Sequence, residues 1–124
     1  MKRLYTLEGI VIKGDGLGVK YGYPTANIDC KRIPTALKDG IYAARIFIAQ
    51  KKHNGLLIMG DKNRIHPGQI KVELYVLDFE GNLYKQKLIA EIVEKIRPFK
   101  KFGSTRELIT QIEEDCQRAR LLLE

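Results

Sequence analysis

Two hard-oxygen side chains one residue apart, Thr25 and Asn27, follow a proline in "GYPTAN". In an extended segment a hydroxyl and an amide carbonyl at that spacing face the same way. A magnesium ion suits such a pair, with phosphate and water supplying its remaining ligands. Pro24 would fix the approach of the chain, although the same residues also fit the closing of an ordinary turn. Upstream, Gly14, Gly16, Gly18 and Gly22 surround Lys20 in "GDGLGVKYG". The stretch meets neither the Walker spacing nor GxGxxG in any register. Its glycines nevertheless allow backbone N–H groups to turn inward around an anion, with Lys20 adding a point charge. Taken alone, those glycines favour a plain flexible hairpin loop.

A third group is Glu73 in "KVELYVLDF", which alternation puts on one strand face with Tyr75, Leu77 and Phe79. An ionised carboxylate on an apolar face is costly unless water, a cation or a donor meets it, so Glu73 is a candidate base. A position near the strand end, pointing into solvent, is the competing placement. The fourth group is Arg97 with the "PFKKF" after it. There Phe99 and Phe102 offer stacking faces and the cation offers a clamp for a planar or anionic ligand. His53 and His66 have no partner at metal-ligand spacing and read as surface residues.

These groups need a scaffold. A chain of 124 residues, 44% of them hydrophobic, suffices for one domain spanning residues 1–124 with its own core. The net charge of +7 favours anionic partners. Cys30 and Cys116 stand far apart outside any CxxC pattern, which supports neither a disulfide framework nor a thiolate zinc site and fits a reducing cytoplasm. Glu8 and Gly9 interrupt the first apolar run before it reaches membrane length, so no membrane association is expected.

Strand patterning predicts a first strand over residues 4–13 and a second over 40–49. Residues 51–55, "KKHNG", read as a turn on the hairpin dipeptide Asn54-Gly55, followed by a short strand over 56–59. Residues 60–68 read as a polar loop. Residues 70–79 are expected to pair through "EGN" with residues 83–96 as a second hairpin. Ser104 with Glu107 is a capping box that starts a helix, whose apolar stripe is Leu108, Ile112, Cys116, Ala119 and Leu123. Strands without alternating helices, closed by one helix, predict a mainly β, antiparallel, barrel-like fold.

Taken together, "GYPTAN" after a glycine-rich loop, "GIYAARI", "KVELYVLDFEGNLY", "EKIRPFKKF" and "STRELITQIEEDCQRA" resemble the riboflavin kinase family in order and spacing, over nearly the whole chain. The resemblance implies a six-stranded antiparallel Greek-key barrel with a C-terminal helix. It implies transfer of the terminal phosphate of ATP to the 5′-hydroxyl of riboflavin, giving FMN and ADP, with CTP also open as donor. By motif match Thr25 and Asn27 would hold Mg2+ and phosphate, and Gly14, Gly16, Gly18, Lys20, Gly22 and Pro24 would wrap the nucleotide. Glu73 would orient or deprotonate the attacking hydroxyl, while Arg97, Phe99 and Phe102 would cover the flavin. The chain departs from the usual family pattern at Asp15 and Val19, where arginines are common, and over residues 57–68, "LIMGDKNRIHPG". A cytoplasmic monomer that stops at FMN is expected. Two other readings remain: a flavin- or nucleotide-binding barrel impaired in catalysis, and, ranked low, a basic barrel that binds nucleic acid.

Overall fold

The computed structural model describes residues 5–12, 26–30, 33, 37–60, 64–66, 69–79 and 83–123. Its strands are β1 (Tyr5–Ile12), β2 (Ala26–Cys30), β3 (Gly40–Ile48), β4 (Lys51–Met59), β5 (Arg64–His66), β6 (Gln69–Val76) and β7 (Lys87–Arg97), followed by helix α1 (Thr105–Leu122). The strands lie in the order β2-β1-β7-β3-β4-β6-β5, and an additional β2–β6 pairing closes six of them into a ring. The result is an antiparallel six-stranded barrel, with the three-residue β5 hanging on the edge of β6. Closure removes the free edges that an open sheet would expose.

Alternation divides the residues between two cores. Leu7, Val11, Ile28, Tyr42, Ile46, Leu57, Met59, Val72, Leu74, Leu88 and Ile92 fill the barrel interior. On the opposite faces of the same strands, Ile41, Ala43, Leu56, Leu77 and Val93 meet Cys116, Ala119 and Leu123 of α1. The helix thus packs on the outside of the barrel wall, along the stripe that its sequence predicts. Ser104 caps it as expected, its Oγ accepting from the Glu107 N–H at 3.2 Å. The Glu107 carboxylate reaches back one residue further than a standard capping box and accepts from the Gly103 N–H at 3.3 Å.

Four sequence expectations need correction. Residues 51–55 are strand, and the β3–β4 turn is Ala49-Gln50, with φ of 49° and 67°. Both turn residues at positive φ make the twist that matches the flanking strands, here without the usual Asn-Gly. Gly55 serves packing instead: a Cβ there would sit 2.4 Å from Ile46 Cδ1 and 2.6 Å from the Tyr75 carbonyl oxygen. The second hairpin does not form either. β6 lies between β2 and β4, whereas β7 lies between β1 and β3. Each of the two strands has both of its edges paired elsewhere in the closed ring, so neither is left to pair with the other. Within the expected loop 60–68, residues 64–66 are a strand paired with β6. His53 is half-buried rather than at the surface, edge-on to the Phe79 ring with centroids 5.4 Å apart.

Candidate functional site

Register brings the predicted residues together. Asn27 on β2 pairs directly with Glu73 on β6, Glu73 with Ile58 on β4, Ile58 with Ile41 on β3, and Ile41 with Arg97 on β7. Directly opposed residues point to the same face. Because Ile28, Val72 and Leu74 point into the barrel, Asn27 and Glu73 point out of it. The row Asn27, Glu73, Ile58, Ile41, Arg97 therefore runs around the outer wall, with an amide–carboxylate pair at one end and a guanidinium at the other. Strand spacing sets Glu73 about 14 Å from Arg97 along the row. The two apolar residues between them, Ile58 and Ile41, belong to the layer under α1.

Glu73 and Asn27 are both half-buried. Glu73 is followed on the same face by Tyr75 and, just past the end of β6, by Leu77, both in the layer under α1, whereas Phe79, expected on that face as well, packs against the barrel-interior cluster because the strand has already ended. Burial pushes the Tyr75 hydroxyl above its ordinary pKa, which keeps that neighbour neutral.

At the other end of the row, Arg97 is held by α1. Its Nε donates to both carboxylate oxygens of Asp115, at 2.9 and 3.0 Å, and its Nη2 donates to Oδ2 at 2.8 Å. Asp115 is only 2% exposed and also accepts from Gln111 Nε2 at 3.0 Å. The guanidinium lies over the Phe102 ring, 5.5 Å from its centroid, and Lys100 Nζ stands 5.6 Å from the same centroid. Phe99 packs on Gly60, where a Cβ would come within 2.4 to 2.6 Å of three ring atoms. Residues 98–102 are therefore anchored on both the end of β4 and the helix. Arg97 lies against the Phe102 ring, and much of its charge is neutralised by Asp115.

The sequence reading did not single out Asp115, Gln111, Gly60 or Lys100. Lys100 was legible inside "FKKF", and Asp115 interrupts the apolar stripe of α1 between Ile112 and Cys116, which marks it as a residue in need of a partner. Gly60 carries no local signal, because its contact with Phe99 is 39 positions away in sequence. Gly14, Gly16, Gly18, Lys20, Gly22, Pro24 and Thr25 lie outside the described residues. Among the described residues, no group of three or more His, Cys, Asp or Glu side chains could hold a metal ion. Among them, too, no helix is long and apolar enough to cross a membrane.

The geometry defines a class: a small closed barrel that carries its polar pair on the outer wall, beside a lateral helix and an aromatic loop. A family model for riboflavin kinase, also called flavokinase, matches residues 1–123, and the chain belongs to that family. It is 33% identical over 118 residues to the bifunctional riboflavin kinase/FMN adenylyltransferase of Bacillus subtilis (strain 168), covering 93% of this chain and 37% of that protein. It is 34% identical over 110 residues to the RNA-binding riboflavin kinase RibR of the same organism, covering 88% and 47%. The bifunctional riboflavin kinase/FMN adenylyltransferase of Haemophilus influenzae is 36% identical over 117 residues, covering 94% and 38%. A crystal structure of a macrolide-efflux protein from Streptococcus pneumoniae superposes with a TM-score of 0.83 at 27% identity, covering 93% of this chain and 38% of that one. The chain spans between about a third and a half of the length of these relatives.

Proposed function

We propose that the chain is a riboflavin kinase, transferring the terminal phosphate of ATP to the 5′-hydroxyl of riboflavin to give FMN and ADP. The observation that carries the reading is the direct pairing of Asn27 with Glu73 on the outer wall, within the riboflavin kinase family match. Glu73 accepts or orients the hydroxyl proton. The freed oxygen attacks the γ-phosphorus, and the bond to the ADP oxygen breaks. In phosphoryl transfer of this kind, positioning and charge neutralisation supply most of the rate.

An amide carbonyl beside a carboxylate is a hard-oxygen set that fits a divalent cation such as Mg2+. Asn27 and, two residues upstream, Thr25 would hold it; when bound, it neutralises charge on the phosphates. Gly14, Gly16, Gly18, Lys20, Gly22 and Pro24 would wrap the nucleotide. The flavin would extend from Glu73 towards Arg97 beside the patch that α1 covers, with Phe99 and Phe102 closing on it. About 14 Å of wall separates the reacting end from the aromatic end. An extended molecule with a hydroxyl at one end and a planar ring at the other suits that separation.

The test is incubation of the pure protein with riboflavin, magnesium and either ATP or CTP, with chromatographic separation of riboflavin from FMN by fluorescence. FMN formed with either donor supports the reading and names the donor. Quenching of riboflavin fluorescence without FMN would instead make the chain a flavin-binding barrel, and absence of both would remove the flavin altogether.

A further inference from the structure

We propose that Asp115, with Gln111, is a positioning residue for the flavin end of the site, acting through Arg97; the inference rests on the riboflavin kinase reading. Asp115 stands out among the described residues as the one buried charged side chain, 2% exposed on the helix face that is otherwise Cys116 and Ala119. A carboxylate in that position is strongly disfavoured without full pairing. Its pairing is complete: three contacts of 2.8 to 3.0 Å from the Arg97 guanidinium, and one of 3.0 Å from Gln111 one helical turn earlier.

The geometry of these contacts matters more than their number. A two-oxygen grip on Nε and Nη2 fixes the plane of the guanidinium as well as its place, because the fork has a defined orientation. That plane lies over Phe102. Nη1, on the side away from Asp115, donates to the Pro98 carbonyl at 3.3 Å and so ties the first turn of the loop. The far end of the same loop is tied by Gly103 to Glu107 and by Ser104 to the helix start. The segment between Arg97 and Ser104 is thus held at both ends by α1, and the helix presents the loop to the outer wall. Side-chain entropy that Arg97 would otherwise lose on ligand binding is already lost in the free protein, which is preorganisation.

Three variants test the assignment: Asp115→Asn, which keeps the shape but turns an N–H donor towards the guanidinium; Arg97→Lys, which keeps the charge but loses the fork; and the two combined. Riboflavin binding is read by quenching of its fluorescence, and KM is measured separately for riboflavin and for MgATP. Amide exchange over residues 98–103 is followed without ligand. Asp115→Asn is expected to raise the riboflavin Kd and KM about tenfold or more, as for loss of a charge-assisted pair, while KM for MgATP stays within about twofold. The double variant should be no worse than the weaker-binding single one, since both changes remove one arrangement. Exchange over 98–103 should quicken in Asp115→Asn while β1 stays as protected as before.

A folded Asp115→Asn protein that binds riboflavin like wild type overturns the assignment, as do additive losses in the double variant. Should Asp115→Asn fail to fold, Gln111→Ala removes one contact alone; its expected effect is a rise of about two- to threefold in riboflavin Kd, and no change overturns the assignment. Wild-type protein that neither binds nor phosphorylates riboflavin overturns the kinase reading and this inference with it. Wild-type protein that makes FMN beside an unaffected Asp115→Asn overturns the inference alone.

Discussion

Replacing Gly60 by alanine tests how the aromatic loop is seated. The added Cβ would stand 2.4 Å from Phe99 Cε1 and 2.6 Å from both Cδ1 and Cζ, whereas 3.4 to 4 Å is ordinary contact. The ring must therefore withdraw by about 1 Å or more, and its loop with it. Gly60 has no unusual backbone angle, so this steric conflict is the substitution's main effect. Misplacement of about 1 Å at a positioning contact costs up to about a hundredfold in turnover. The riboflavin KM is expected to rise about tenfold or more. Overpacking costs about 1–3 kcal/mol, and a chain of 124 residues has an unfolding entropy of about 0.26 kcal/mol/K. The Tm should then fall by at most about 4–12 °C, and by the low end of that range, because a half-exposed loop can yield. Gly55→Ala provides the contrast: its Cβ would meet the Tyr75 carbonyl oxygen at 2.6 Å inside the closed ring, where backbone cannot yield. That variant should lose more Tm than Gly60→Ala and, at a temperature where it is folded, less riboflavin affinity. Steady-state kinetics and thermal denaturation monitored by circular dichroism decide the matter. A Gly60→Ala protein with wild-type riboflavin KM and unchanged Tm would refute the seating of Phe99 on Gly60.

Further expectations concern the proposed catalytic carboxylate, the β3–β4 turn and the thiols. Glu73→Gln should lower kcat by about 10²-fold or more with little change in riboflavin KM or Tm; unchanged kcat would remove Glu73 from the role of base. Replacing Ala49-Gln50 by Asn-Gly should relieve two residues held at positive φ, stabilising the protein by about 1–2 kcal/mol and raising Tm by roughly 4–8 °C; no gain in a melting experiment would argue against that turn. Burial, and then the charge of Asp29, pushes the Cys30 thiol up to about 11; burial likewise pushes Cys116 up to about 11 against the pull of Arg120. Thiols in the unfolded chain ionise near about 8.5–9. The folded state is therefore favoured fully below that range, and the advantage is lost as pH rises through 11. Burial raises Tyr42 and Tyr75 with the same sign. The urea midpoint should fall between pH 9 and 11, less steeply in a Cys30→Ala, Cys116→Ala variant. A midpoint flat over that range would contradict the burial of both thiols.

What the sequence made legible was whatever depends on near neighbours. The capping pair Ser104 and Glu107 and the stripe from Leu108 to Leu123 specify α1, and alternation specifies which side of β6 carries Glu73. Pairing across the ring was not legible, because β6 and β7 are adjacent in sequence and equally apolar, so nothing local says that each has its partners elsewhere. The Asn54-Gly55 dipeptide misled for a related reason: its glycine answers to Ile46 and Tyr75, contacts made by closure, and the turn moved to a pair of residues with no turn signature. The site follows the same division. Thr25, Asn27, Glu73, Arg97, Phe99 and Phe102 were individually visible through residue type, but the register that puts Asn27 against Glu73 belongs to the closed barrel.

That register also accounts for why the proposed reacting groups stand outside the barrel rather than in it. A six-stranded ring is too narrow to enclose both its own side chains and a ligand, and here the interior is filled by leucine, isoleucine, valine and methionine. A polar pair placed inward would be buried without water, at high cost. Placed outward on paired strands, Asn27 and Glu73 keep a rigid mutual position while only half-buried, and α1 covers the apolar wall of Ile41, Ala43, Leu56 and Val93. The helix then has a second task at the distant end of the row, where Asp115 is buried for the sake of Arg97. Rigidity at the Glu73 end thus comes from strand pairing, whereas at the Arg97 end it comes from one charged contact between strand and helix. Substitutions should divide accordingly: those that disturb β2–β6 pairing should act on turnover, and those that disturb α1 at Asp115 or Gln111 should act on flavin affinity.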